Sequence, residues 1–276
     1  MVVVGLTACD NNQSGNLAAS GRGDTSHPAE RGSPIDELTA ACGDGGTTAA
    51  GAVIHRNPYL QQVTSTSAMV GWVSVAPVNT ERVMLTTTGG SEISATAAVA
   101  ELGTLRSVGE KQMWASLNDL QPDTIYCYSL DDGSPMSART GFRTAPDATS
   151  TKPIRFLAFG DSGGGGTDQY ALRDQMFDFP YELMIHTGDI AYEDGSLQQF
   201  EDNVFGVYAD LFKNIPFFPA AGNHDYGTDD AAPFRDVFAL PGTGGGEWYS
   251  YDWGRIHFVA LDTEADYETQ AAWLDD

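Results

Sequence analysis

The apolar positions of this chain change their period twice, and the changes divide it into three stretches. Residues 10–52 hold Asn, Ser, Gly, Thr and Ala with almost no large apolar side chains. Such a segment buries too little surface to offset the entropy of ordering it, so a flexible tether is expected. From Asn57 short β-rich runs alternate with turn residues. In Ser67-Ala-Met-Val-Gly-Trp-Val-Ser-Val75, Val70 and Trp72 share one face at period two. Residues 82–88, 112–117, 120–128 and 139–144 read as further short strands, and their regular spacing predicts a β-sandwich over 55–147. Trp72, Tyr126 and Tyr128 are expected in its core. Cys127 alternates with Tyr126 and should point away from that core.

After Lys152-Pro153 the pattern becomes strand–helix. Residues 154–159 form an apolar run interrupted only by Arg155, as expected of a parallel strand buried on both faces. Leu172, Met176 and Phe179 mark a helix within 170–179. Residues 183–185 read as the next strand, 200–212 as a helix and 217–221 as a third strand. This alternation implies a parallel sheet with right-handed crossovers, hence an α/β domain over 152–276. A further strand pair, near 248–251 and 255–261, turns through Asp252-Trp-Gly254.

Each of the three apolar strands ends in glycine and then a polar residue: Gly160-Asp161, Gly188-Asp189 and Gly222-Asn223-His224-Asp225. The polar side chains therefore fall just past the C-terminal ends of strands, the edge where open α/β sheets bind ligands. Glycine permits the sharp exit that lets them converge. Carboxylate and amide oxygens suit hard or borderline cations. Two such cations roughly 3.5–4 Å apart, bridged by one carboxylate, can orient a phosphate, activate water and stabilise a leaving oxygen. Tyr192 lies about one helical turn after Asp189 and can face the same point. Each pair alone is an ordinary turn signal; the order and strand context make the joint reading. His186 lies inside a strand and reads as a packed histidine or one behind the ligands, and His257 reads as structural. Residues 163–166 lack the Lys-Ser/Thr of a phosphate-binding loop and read as a rim of the cleft, and residues 242–246 as a loop.

Charge narrows the partners. The 38 acidic and 14 basic residues give −24, with −7 in residues 1–150 (15 acids, 8 bases) and −17 in 151–276 (23 acids, 6 bases). Such a surface repels nucleic acid and anionic membranes, and a phosphate site on it needs concentrated positive charge, which bound cations supply. No apolar run approaches the roughly 20 residues of a membrane-spanning helix. The three cysteines have no CxxC spacing. Cys42 and Cys127 could pair in an oxidising compartment; the other reading leaves Cys127 free.

Two resemblances add to this. Leu120-x-Pro122-x-Thr124-x-Tyr126 resembles the E–F corner of fibronectin type III domains, where the tyrosine hydroxyl caps nearby backbone. With Pro58-Tyr59-Leu60-Gln61, the segment also resembles the N-terminal domain of purple acid phosphatases. The Gly-Asp series is similar to the metallophosphoesterase superfamily, with Asp161-Ser162-Gly163 and Gly188-Asp189-Ile-Ala-Tyr192 in the forms of the purple branch. The resemblance implies a fibronectin type III-like β-sandwich followed by an α/β metallophosphoesterase domain with a mixed sheet sandwich. It implies hydrolysis of phosphate monoesters by metal-bound hydroxide at a dinuclear centre. Fe(III) would be held by Asp161 and Tyr192, Asp189 would bridge, and Asn223 would hold a divalent Fe, Zn or Mn ion. His224 would stabilise the transition state or protonate the leaving group, with Asp225 as the catalytic partner that orients it by hydrogen bond.

The resemblance also implies two later motifs, Val-x-x-His and Gly-His-x-His, and neither occurs in this sequence. The matched part is the N-terminal module and about half of a catalytic domain, so the expectation is a C-terminally truncated fragment with weak or no catalysis and an open apolar sheet edge. The alternatives are a phosphodiesterase or nucleotidase of the same superfamily and a non-catalytic cell-surface binding protein. Leu6-Thr-Ala-Cys9 resembles the lipobox of bacterial lipoproteins. It implies a lipid anchor at Cys9 and an extracytoplasmic place, on the cell envelope or secreted. The basic region expected before such a motif is absent, so an ordinary tail is the other reading.

Overall fold

The computed structural model describes residues 31–45, 54–75, 81–88, 93–96, 98–100, 110–242 and 248–275. The readings of Cys9 as an anchor and of most of 242–246 as a loop lie outside them. The first helix is α1 (Asp36–Cys42), followed by β1 (Ile54–Gln61), β2 (Ala68–Val75), β3 (Arg82–Thr87), β4 (Ile93–Thr96), β5 (Ala98–Ala100), β6 (Glu110–Leu117), β7 (Ile125–Asp131) and β8 (Thr140–Arg143). They form two four-stranded antiparallel sheets, ordered β1-β2-β6-β5 and β4-β3-β7-β8. Period-two burial does the packing: Val70, Trp72, Tyr126, Tyr128 and Phe142 fill the space between the sheets. Burying side chains of this size is worth about 1.5–3 kcal/mol each. The Tyr126 hydroxyl accepts the backbone N–H of Gln121 at 2.8 Å, which fixes the corner before β7.

The expectation of a tether through residue 52 is corrected over 31–45. There α1 lies against β7 and β8, buries Leu38 and Cys42, and is joined to β7 by a Cys42–Cys127 disulfide. Composition missed this because a helix of only 7 residues needs few apolar contacts when a covalent link holds it. Cys127 does face away from the interior of the sandwich, yet it is buried because α1 covers that outer face.

The second unit contains β9 (Phe156–Phe159), α2 (Thr167–Met176), β10 (Leu183–His186), α3 (Leu197–Gln199), a π-helical turn at Phe200–Phe205, α4 (Gly206–Phe212), β11 (Phe217–Pro219), α5 (Ala232–Val237), β12 (Tyr249–Trp253), β13 (Ile256–Ala260) and α6 (Tyr267–Asp275). The parallel sheet runs β11-β10-β9, and β12 and β13 form an antiparallel pair. No helix among the described residues is long and apolar enough to cross a membrane. Every residue of β10 is buried, as the apolar run predicts for a central strand. The same expectation for β9 is corrected. It ends the sheet order, Phe156 and Ala158 are exposed, and the Phe156 and Phe258 rings meet edge to face, centroids 5.5 Å apart. An apolar run therefore does not by itself distinguish a central strand from an edge strand.

The two units share polar ties. Arg56 of β1 is fully enclosed. Its Nε donates to Glu201 Oε1 at 3.0 Å, a second nitrogen pairs with the same oxygen, and Nη1 donates to Gln112 Oε1 at 2.5 Å. The Tyr59 hydroxyl donates to the Val237 carbonyl at 2.6 Å, and the Asn214 amide donates to Gly141 O at 2.6 Å. These bonds hold the sheet of β11-β10-β9 against the sandwich, so its C-terminal edge has a fixed frame.

Candidate metal centre

The first two strand ends interlock through backbone. Thr187 N donates to Phe159 O at 2.8 Å, Asp161 N to Gly188 O at 3.1 Å, and Tyr192 N to Gly163 O at 3.1 Å. The third loop closes on them when His224 N donates to Asp189 Oδ1 at 3.1 Å. The expected sharp exits exist, but the aspartates make them. Asp161 has φ 51° and Asp189 φ 56°, while of the three glycines only Gly188 takes a positive φ, 111°. Non-glycine residues in that region are uncommon, and strained conformations cluster at functional sites. Gly160 and Gly222 serve for space instead: a Cβ on Gly222 would collide with Asp189 N and Oδ1, and one on Gly160 with Thr187 Oγ1. Gly163 is likewise closed off, because its Cβ would strike the Ile190 carbonyl.

Asp161, Asp189 and Tyr192 meet. The Tyr192 hydroxyl lies 3.1 Å from Asp189 Oδ2 and 3.3 Å from Asp161 Oδ1. A turn at 192–194, rather than a helix, brings it there. Burial, then the charges of Asp189 and Asp161, hold its phenol protonated far above the ordinary range. Asp189 is buried and Asp161 exposed, so the trio opens on one side. Asn223 is exposed beside it, and its side chain makes no hydrogen bond among the described residues. No group of three His, Cys, Asp or Glu residues that could hold a metal ion forms among the described residues, and the groups that meet are two carboxylates and a phenol. The oxygens fit a hard cation. The Tyr192 hydroxyl lies within hydrogen-bond distance of both carboxylates, and a side chain at Gly222 would collide with Asp189.

His224 stands beside the trio with its ring 4.4 Å from that of Tyr192. Its Nδ1 is 2.6 Å from the Glu193 carbonyl, so Nδ1 carries a proton and Nε2 remains for a ligand. The expected hydrogen bond from Asp225 to His224 is corrected. The Asp225 carboxylate is fully buried and accepts the backbone N–H groups of Gly222 at 2.9 Å and of Ile190 and Ala191 at 3.1 Å. Burial pushes its pKa up to about 6 against those three donors. Asp225 thus fastens the third loop to the second, and a carbonyl orients His224. Sequence reasoning missed this because a backbone acceptor has no residue signature. His257 pairs with Asp252 at 2.7 Å across β12 and β13, as a structural reading expects.

The chain resembles known proteins along most of its length. Residues 55–144 match the family model for the purple acid phosphatase N-terminal domain, and residues 154–275 match calcineurin-like phosphoesterase. Acid phosphatase type 7 of Mus musculus is 25% identical over 225 residues, which is 75% of this chain and 50% of that protein. Probable inactive purple acid phosphatase 27 of Arabidopsis thaliana is 29% identical over 186 residues, 55% of this chain and 30% of that one. The chain therefore spans half or less of the length of these curated relatives. Among solved structures, a purple acid phosphatase from yellow lupin (Lupinus luteus) seeds superposes with a TM-score of 0.65 at 20% identity, covering 79% of this chain and 48% of that one. Sandwich and phosphoesterase unit follow one another in the order of that family, with antiparallel sheets in the first, a parallel sheet and an antiparallel pair in the second and no closed barrel among the described residues, and the chain belongs to the purple acid phosphatase family.

Proposed function

We propose that this chain carries the oxygen ligands of a dinuclear metal centre and serves the hydrolysis of phosphate monoesters. The observation that supports it is the convergence of Tyr192 on Asp161 and Asp189 at 3.3 and 3.1 Å, with His224 N on the other oxygen of Asp189. Asp161 and Tyr192 would hold Fe(III), Asp189 would bridge, and Asn223 would hold a divalent Fe, Zn or Mn ion. Bound cations would supply a hydrolytic nucleophile at mild pH and neutralise phosphate charge that this acidic chain otherwise repels.

The residues divide the remaining work. Asp189, held by the His224 backbone N–H on one oxygen and by the Tyr192 hydroxyl on the other, fixes the spacing of the site. His224 keeps Nδ1–H on the Glu193 carbonyl and presents Nε2 to the leaving oxygen; the imidazolium form, protonated at both nitrogens, would donate the Nε2 proton to it and be left as the neutral Nδ1–H ring. Asp225 keeps the loop bearing Asn223 and His224 in register. The Cys42–Cys127 disulfide supports an extracytoplasmic place, where disulfides persist.

A second reading, hydrolysis of phosphodiesters or nucleotides, is favoured by one relative. A nucleotide pyrophosphatase/phosphodiesterase of Hordeum vulgare is 26% identical over 168 residues. The test is p-nitrophenol release from p-nitrophenyl phosphate and from bis-p-nitrophenyl phosphate after loading with Fe(III) and Zn²⁺. Weak monoester turnover at most is expected, and chelation and Asp189→Ala should both abolish it. Turnover unchanged in Asp189→Ala would refute the assignment, and faster diester than monoester cleavage would favour the second reading.

A further inference from the structure

His186 is buried beneath the strand ends, and its two ring nitrogens are both engaged. Gly188 N donates to Nδ1 at 3.2 Å, so Nδ1 carries no proton. Nε2 therefore carries it and donates to the Ser162 hydroxyl at 3.0 Å. The Tyr208 hydroxyl of α4 reaches the same oxygen at 3.2 Å. The rings of Phe159 and Phe217 pack on the imidazole at 4.7 and 5.9 Å between centroids, and burial holds it neutral, its pKa pushed down to about 3. Ser162 directly follows Asp161, and Gly188 directly precedes Asp189. One side chain in the middle strand thus ties the two loops whose aspartates take left-handed backbone.

We infer that His186 is a positioning residue that sets the separation of Asp161 and Asp189 by holding Ser162 with one nitrogen and Gly188 with the other. The inference rests on the reading of those aspartates as cation ligands. A left-handed aspartate is strained and persists only while its surroundings over-determine it. Without the imidazole, the loop after β9 keeps its backbone bond to Gly188 O but loses the side-chain anchor one residue beyond Asp161. That carboxylate then gains freedom larger than the roughly 0.2 Å tolerance of a ligand distance. The role differs from ligation, since neither nitrogen faces the trio.

The test is calorimetric titration of the full chain with MnCl₂ at a temperature well below each variant's unfolding midpoint. Losing such supporting partners typically weakens metal binding 10- to 100-fold, and that drop is expected for His186→Leu and Ser162→Ala. His186→Gln keeps a donor toward Ser162 and should recover part of the loss. Wild-type affinity in folded Ser162→Ala or His186→Leu would overturn the role, as would His186→Gln binding no better than His186→Leu. Should His186→Leu not fold, Ser162→Ala decides alone. A wild-type chain that takes up no Mn²⁺ would overturn the metal site itself, and this role with it.

Discussion

Arg56 offers a sharp test of how the two units are joined. Its guanidinium is buried between them, bonded to Glu201, Gln112 and the Tyr59 hydroxyl, with its carbon 4.1 Å from the centre of the Phe205 ring. Arg56→Met keeps much of the aliphatic stem but removes the guanidinium that pairs with Glu201. Removing one partner of a buried pair costs about 3–5 kcal/mol, because the other charge stays in a poorly solvated place. At about 2–4 °C per kcal/mol for chains of 150–250 residues, that is a fall in Tm of about 6–20 °C. Arg56→Met combined with Glu201→Met removes both charges, and replacing a buried pair by apolar side chains of similar volume is often neutral. The double variant should therefore recover at least half of the loss. Urea unfolding followed by tryptophan fluorescence measures each ΔG, and the double-mutant cycle gives the coupling. Arg56→Met within about 1 kcal/mol of wild type would refute the reasoning. So would a double variant as unstable as the single one, since the loss would then lie in packing rather than in stranded charge.

Two further outcomes follow from single features. Burial lowers the His186 pKa to about 3, below its ordinary 6.5, so the unfolded chain takes up the proton first. Stability is thus fully present above about pH 6.5 and falls as pH drops toward 3, and in urea titrations across pH 3–7 His186→Gln should flatten that limb. Opening the Cys42–Cys127 link, 85 residues apart in sequence, should cost about 4–5 kcal/mol on the loop-entropy relation. Differential scanning calorimetry of the double serine variant reads it, and a midpoint unchanged from wild type would contradict the disulfide's role in holding α1.

The elements of this chain were legible because each rests on local periodicity. Val70 and Trp72 alternate at period two and end in the sandwich core, and the run at Leu183 becomes the fully buried β10. The Gly-Asp pairs mark strand ends because a turn leaving a strand needs those residue types. The sequence alone thus determined the order of a β-sandwich and an α/β unit and brought Asp161, Asp189 and Tyr192 under suspicion together. Tertiary structure decided what partners distant in sequence control. The exposure of β9 depends on which strands pair with it, and the burial of Cys127 depends on α1, 85 residues earlier at Cys42. Asp225 turned from the expected partner of His224 into a clamp on Gly222, Ile190 and Ala191, and the Glu193 carbonyl took its place. Every residue has a backbone N–H and C=O, so composition carries no trace of which ones meet; only the folded chain chooses them.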